Sequence, residues 1–213
     1  MRPLTDTTPK PLIPIAGRGS LLRSLDILPD AVTRVILVVG YLHEQIRDAV
    51  GATWNGRSVT YLLQEKLNGT GGALRLAQEK ISSDRFLVLN GDDLYGADDL
   101  QRLTDVDRGL LVMRRRLHKQ MDTLVVHEGR IRGLSVGTVG EDPSINIGAY
   151  MLGHEWYTTR PTLVPGKETE WSLPHALPQL FDSFDYRAVD ATFWQPCGTF
   201  EEIAAAEAKL LSS

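Results

Sequence analysis

Three short stretches of this sequence carry side chains that could do chemistry on a phosphorylated substrate. In Leu87-Val88-Leu89-Asn90-Gly91-Asp92-Asp93 an apolar run ends in a glycine turn followed by two carboxylates. Ligands of open α/β sheets bind outside the carboxyl ends of the strands, where a hard cation takes carboxylate oxygens together with substrate phosphates. Plain turn chemistry explains Asn-Gly-Asp as well. In Gln64-Glu65-Lys66-Leu67-Asn68-Gly69-Thr70-Gly71-Gly72 three glycines surround a threonine after another apolar run. Backbone N–H groups in such a turn approach a ligand closely, and a glutamine amide can pair with the edge of a base. It is not a Walker A loop, because no Lys-Ser/Thr pair follows the glycines. A glycine-rich helix start with Thr70 near the cap is the competing reading. In Pro9-Lys10-Pro11 the two prolines restrict the backbone, so an extended segment is expected to present Lys10 to an anion at little ordering cost. Asn146 within an apolar run and Glu170 before another add polar groups that prove nothing singly.

The elements that must position these residues follow from periodicity. Residues 34–40 form a β-branched run ending in glycine, and residues 42–50 have helical spacing. The alternation repeats with a strand over 58–64, a helix over 71–81, a strand over 86–89 and a helix over 97–103. Strands alternating with helices imply βαβ units and a parallel sheet. After Gly109 the rhythm changes to short strands over 110–114, 123–127 and 130–136, with Glu128-Gly129 as a hairpin turn, so a small antiparallel insert is expected. A strand over 145–152, a helix over 173–181, a strand over 186–193 and an alanine-rich helix over 201–211 complete the chain, with residues 162–170 as a loop.

Composition limits the function further. The 213 residues carry 23 basic against 27 acidic side chains, so no excess positive charge draws the chain to nucleic acid. No apolar stretch approaches the ~18 residues of a membrane span, and no targeting leader is legible. One cysteine, Cys197, forms no intrachain disulfide, which fits a reducing cytoplasm. The five histidines, His43, His118, His127, His154 and His175, lack metal-ligand spacing and read as surface or structural.

In order and spacing, Arg2-Pro3-Leu4-Thr5 through Pro9-Lys10-Pro11, Gln64 to Thr70, Asn90-Gly91-Asp92, Asn146-Ile147-Gly148-Ala149-Tyr150, Glu170-Trp171-Ser172-Leu173-Pro174 and Trp194 to Thr199 resemble the sugar-1-phosphate nucleotidylyltransferases, or NDP-sugar pyrophosphorylases. The resemblance implies a Rossmann-like α/β fold, a mixed, mainly parallel sheet sandwiched by helices. It implies one domain with a nucleotide-binding half over 1–108 and a sugar-binding half over 109–213. The reaction implied joins an NTP to a sugar 1-phosphate, giving an NDP-sugar and pyrophosphate, in a cytoplasmic protein that could be a homo-oligomer. Carried over, Lys10 neutralises phosphate, and Gln64, Gly69, Thr70 and Gly91 bind the nucleotide. Asp92 holds Mg²⁺, and Asn146 and Glu170 bond the sugar hydroxyls. A phosphocholine cytidylyltransferase or a non-catalytic nucleotide-sugar-binding regulatory subunit would share these blocks.

Two departures from the family pattern carry expectations. The family places a strand and a Leu-Ala-Ala-Gly-x-Gly-x-Arg loop before the Arg-Pro-Leu-Thr block, which here begins at Arg2. A sheet with its central position open is therefore expected, either left as a gap or filled by residues 12–16 or a partner chain. The family's second metal carboxylate, two residues before Gly-Thr, is Pro196 here. Binding is thus expected to outlast turnover.

Overall fold

The computed structural model describes residues 1–211. Its first layer is short. Strand β1 (Arg34–Val39) pairs in parallel with β2 (Arg57–Leu63), and Thr53–Trp54 adds an antiparallel edge to β2. Helix α1 (Ser20–Asp26) precedes β1 and α2 (His43–Val50) follows it. Ile46 and Val50, four apart, bury one face of α2 with Val35 and Val39, and Leu21 and Leu25 of α1 join the same cluster. Gly51 at φ 76° ends α2 by donating its N–H to the Arg47 carbonyl.

The second sheet is larger. Helix α3 (Gly69–Ala77) leads to strand β3 (Arg85–Leu89), then β4 (Asp93–Tyr95), α4 (Ala97–Thr104) and β5 (Gly109–Arg114). The hairpin of β6 (Met121–His127) and β7 (Arg130–Gly137) follows. Glu128 and Gly129 both have positive φ, the backbone of a two-residue turn whose twist suits the strands. Then come β8 (Ser144–Gly153), α5 (Leu173–Ala176), β9 (Arg187–Asp190), β10 (Trp194–Pro196) and α6 (Phe200–Leu211). Six strands are ordered β3-β8-β5-β9-β7-β6, while β10 pairs with β4 apart from them. Strand β8 is buried on both faces. Tyr150 and Leu152 pack toward Leu74, Trp156 and Leu173, whereas Ile145, Ile147 and Met151 pack toward Leu100 and Leu103 of α4.

The α/β class is as expected, but parallel pairing is confined to β1 with β2 and β5 with β9. The reason is β8, which lies between β3 and β5 and runs antiparallel to both, together with the antiparallel β6–β7 hairpin. Three local expectations also need correction. Lys10 lies not in an extended segment but in a 3-10 turn, Lys10–Leu12, whose φ Pro11 presets. The helix expected over 173–181 passes into a 3-10 turn, Leu177–Leu180, because Pro178 has no N–H to continue the α ladder. Strand β9 stops at Asp190 because the N–H groups of Thr192 and Phe193 turn to the Asp99 carboxylate, at 2.9 to 3.0 Å.

The expected gap is present. One edge of β1 is paired by β2 and one edge of β3 by β8; among the described residues no strand pairs the other edge of either. Residues 12–16 do not fill the place, since Pro14–Ile15 folds back on Arg18–Gly19 as its own hairpin.

Asp99 is fully buried and takes three donors from Thr192 and Phe193, plus Arg102 at 2.5 Å. Burial pushes its carboxyl up, but these bonds outweigh burial and hold it below the usual carboxylate range. Asp99→Ala is expected to cost about 1–3 kcal/mol in urea unfolding at neutral pH, because it leaves the main-chain donors of Thr192 and Phe193 without their acceptor. The folded carboxyl binds its proton less tightly than the unfolded one. Its stabilisation is therefore complete above the ordinary carboxylate pKa and is lost as pH falls below about 4. Equal acid sensitivity in wild type and the alanine variant would refute that assignment.

Candidate functional site

The site grows from the turn after β3. Lys10 Nζ makes an ion pair with Asp92 Oδ2, and both side chains remain partly open to solvent. Ser20 Oγ, at the start of α1, donates to the Gly91 carbonyl at 3.1 Å, and the Cys197 N–H donates to the Asp92 carbonyl at 3.1 Å. Behind Lys10, Thr199 and Glu202 form a reciprocal capping box at the start of α6: Thr199 N–H donates to Glu202 Oε2 and Glu202 N–H to Thr199 Oγ1. Glu202 also accepts the Gly198 N–H at 2.7 Å, which seats Gly198 beside Lys10. A cavity of about 510 Å³ opens in front, lined by Thr5, Lys10, Val39, Gly40, Tyr41 and Leu67 among others. Its size suits a nucleotide-sized ligand.

The Gln64 loop reaches that cavity through Leu67, whose side chain lies against Gly40. Gln64 Nε2 donates to Asn68 Oδ1 at 2.7 Å and to the Gly69 carbonyl at 3.2 Å, and among the described residues its Oε1 accepts no hydrogen bond. Gly69 has φ 86°, and a Cβ there would stand 2.4 Å from the Trp171 carbonyl oxygen. Thr70 Oγ1 accepts the Leu173 N–H at 3.1 Å. Thr70 and the glycines thus serve as a packing joint to α5, whatever else they do.

On the other flank, Asn146 folds β8 into a bulge. Its Oδ1 accepts the Gly148 N–H at 3.0 Å and its Nδ2 donates to Tyr150 OH at 2.9 Å. Gly148, at φ 80°, gives its carbonyl to the Asn90 N–H and to Tyr95 OH. Asn90 in turn donates to Asp93 Oδ2 at 3.2 Å. Glu170 pairs with Lys167 at 3.2 Å on the 162–170 loop, and its neighbour Trp171 docks on Gly69.

Of the residues singled out, Lys10, Gly91 and Asp92 are joined directly. Asn146 reaches them through Gly148 and Asn90, whereas Gln64, Gly69 and Thr70 do not line the cavity and are tied to it only through Leu67 of the same loop. Among the described residues no hydrogen bond or ion pair links Glu170 to the Lys10–Asp92 pair. Sequence reasoning missed Ser20 and Tyr95; Asp93 reads in the sequence as one of two adjacent carboxylates and, with Asp190, as a candidate substitute for the carboxylate lost at Pro196, with no spacing to select either. His175 bridges Ser172 Oγ and Asp122 Oδ2, a structural role.

The family model described as nucleotidyl transferase matches residues 1–108, just over half of the chain. The chain belongs to the nucleotidyl transferase family. The bifunctional protein GlmU of Methanococcus maripaludis is 27% identical over 100% of this chain and 52% of its own length. The mannose-1-phosphate guanylyltransferase of Mycobacterium tuberculosis is 29% identical over 99% of this chain and 61% of its own. The chain spans about half the length of the first of these curated relatives. Among solved structures, a UDP-glucose pyrophosphorylase in complex with UDP-glucose superposes with a TM-score of 0.82 at 17% identity, over 100% of this chain and 94% of its own. That likeness establishes the nucleotide-diphospho-sugar transferase fold.

In this nucleotidyl transferase domain the position opposite Pro196 is Asp93, its antiparallel partner across β10 and β4. Burial pushes the Asp93 carboxyl up to about 6, and the charge of Asp92 adds to the effect against the bond from Asn90. The folded state therefore holds this proton more tightly than the unfolded chain. Asp93 favours folding fully below the unfolded pKa, and that contribution is lost as pH rises from about 4 to about 6, roughly 3 kcal/mol in all. Asp93→Asn is expected to remove this slope and to raise stability at pH 7 by about 1–3 kcal/mol. Chemical denaturation at pH 4.5 and pH 7 measures both, and a variant no more stable than wild type at pH 7 would contradict the assignment.

Proposed function

We propose that this chain transfers a nucleotidyl group from an NTP to a sugar 1-phosphate, releasing pyrophosphate. The observation that carries the reading is the Lys10–Asp92 pair at the strand-end edge, over a nucleotide-sized cavity, in a nucleotidyl transferase chain. In the transfer, the sugar-phosphate oxygen attacks the α-phosphorus, a new P–O bond forms, and the bond to the β-phosphate oxygen breaks. Little covalent help is required, so positioning and charge neutralisation supply the rate.

Lys10 leaves Asp92 for a phosphate oxygen, held in place by Gly198 and the capped end of α6. Gln64 Oε1 accepts from a base N–H, with Gly69, Thr70 and Gly91 shaping the loops around it. The second N–H of Asn146 Nδ2 and the Glu170 carboxylate bond the sugar hydroxyls. The donor set fits Mg²⁺ at one carboxylate. Asp92 would hold the ion through its partly solvated carboxylate together with substrate phosphates, since among the described residues no three carboxylate, histidine or cysteine side chains converge to hold it without them and Pro196 offers no ligand. The ion would supply neutralisation of phosphate charge. The nucleotide-binding part corresponds to residues 1–108 and the sugar-binding part to 109–213, in a reducing cytoplasm that suits the buried Cys197 thiol.

Pyrophosphate release with Mg²⁺, each NTP and a panel of sugar 1-phosphates tests the reading. Lys10→Ala and Asp92→Asn are each expected to lower kcat/KM by ~100- to 1000-fold while leaving urea unfolding nearly unchanged. Binding of nucleotide sugar without turnover would favour a regulatory subunit instead, and turnover with phosphocholine alone would reassign the acceptor.

A further inference from the structure

Strand β5 runs on into a basic loop. Residues 114–119 include Arg114, Arg115, Arg116, His118 and Lys119 and no acidic residue, in a chain whose net charge is −4. All five are exposed. Among the described residues none of the five pairs with a carboxylate, and the side chains of Arg116, His118 and Lys119 make no hydrogen bond. Like charges held this close repel one another, a cost that a bound anion relieves. The loop backbone is nonetheless fixed. Leu117 is buried, its N–H donates to the Glu141 carbonyl at 2.9 Å, its carbonyl accepts the Gly140 N–H at 3.0 Å, and the Arg115 N–H donates to the Pro143 carbonyl at 3.2 Å.

Alternation sorts the side chains between two faces. Met113 and Leu117 pack in the cluster that holds Leu100 and Leu103 of α4, and the Arg115 guanidinium lies 5.6 Å from the ring centroid of Trp194 in that cluster. Val112 belongs to the cluster on the other face, so Arg114 and Arg116, which alternate with Arg115 and Leu117, turn to that face. Asn146 is on it as well. It is the cross-strand partner of Val112, and Arg114 stands opposite Ser144, two residues further along β8. The Arg114 guanidinium donates only to the Asp142 carbonyl, at 3.3 Å.

The register sets an order along β8. Its Gly148 carbonyl accepts the Asn90 N–H at the turn that carries Asp92, Asn146 comes next toward the edge, and Ser144 beside Arg114 lies furthest out. Gly148 to Ser144 is at most about 13 Å of strand. In the transfer proposed above, on which this inference rests, the reacting phosphate sits at Lys10 and Asp92 and the sugar at Asn146. Arg114 and Arg116 therefore meet the end of the acceptor remote from that phosphate. A sugar hydroxyl calls for no cation there, whereas guanidinium groups take a phosphate or carboxylate through paired N–H bonds. We infer that the acceptor is a sugar 1-phosphate bearing a second anionic group at its far end, selected by Arg114 and Arg116, with His118 and Lys119 adding to the field.

Calorimetric binding to the intact chain tests this with the 1-phosphates of glucose, galactose, mannose and N-acetylglucosamine, their 1,6-bisphosphates and the corresponding uronic acid 1-phosphates. In at least one sugar series the second anionic group is expected to tighten binding about tenfold or more, and Arg114→Gln combined with Arg116→Gln to remove that gain. Arg132→Gln, exposed near the turn of the β6–β7 hairpin, is expected to keep it. A gain confined to the bisphosphates or to the uronates names the group. No gain in any series, a gain that survives in the double variant, or an equal loss of NTP affinity in that variant overturns the inference. Pyrophosphate release with each NTP and the same acceptors reads the transfer separately. Its absence with every acceptor while the gain stands withdraws the transfer reading and leaves the anion site, whereas release without any gain withdraws this inference alone.

Discussion

The turn that follows β3 is held by donors from three distant parts of the chain, and both sheets depend on it. Ser20 and Ser24 of α1 bond the carbonyls of Gly91 and Asp93, Cys197 bonds the carbonyl of Asp92, and Lys10 pairs with its carboxylate. No hydrogen-bonded ladder joins the β1–β2 sheet to the β3 sheet among the described residues. The connection is therefore made by helices packed across the opening and by a few polar ties, the neutral ones worth only about 0.5–1.5 kcal/mol each and the partly solvated Lys10–Asp92 pair about 0–1 kcal/mol. These ties converge on the turn beside Lys10, and Lys10 also lines the candidate cavity, so the joint at this end of the opening borders it.

Three of the four aspartates between residues 92 and 99 show how environment separates chemical roles that sequence leaves alike. Asp92 is partly solvated and ion-paired, and so remains available to a cation or a lysine. Asp93 is turned inward beneath Gly148, where burial favours its proton. Asp99 is more deeply buried still, yet its carboxylate is held ionised by backbone donors from 192–193. The difference is donor count. Asp93 has one amide and one distant phenol, whereas Asp99 has main-chain N–H groups, a hydroxyl and a guanidinium.

What could be read in the sequence divides along the same physical line. The β-branched run at 34–39 and the glycine turn at 128–129 impose their conformations locally, and both stand where periodicity and turn chemistry put them. The early end of β9 could not be read, because it depends on a carboxylate more than ninety residues away in the chain. The antiparallel course of β8 was equally hidden, since a strand buried on both faces has no periodicity to reveal its direction. At the site, Lys10 and Asp92 were legible because their residue types are matched to phosphate and metal. The division of roles between Asp92 and Asp93 was not, because only the burial of Asp93 distinguishes the two adjacent carboxylates.

The glycine-rich loop shows why such a motif does not speak for one role. Beyond Gly69, a Cβ at Gly72 would fall 1.9 Å from Asn68 Oδ1, and Gly71 donates its N–H to the Trp171 carbonyl at 2.9 Å. Trp171 answers by donating to the Asn68 carbonyl at 2.6 Å, while Thr70 receives Leu173. The 68–71 turn and the start of α5 are thus one hydrogen-bonded unit. Gln64 is braced against that unit through Asn68 and Gly69, and Glu170 is the residue immediately before it. A displacement of the Gln64 loop must therefore carry the backbone beside Glu170 with it. The glycines matter first because they permit this close seam, and any ligand that orders one side of it orders the other.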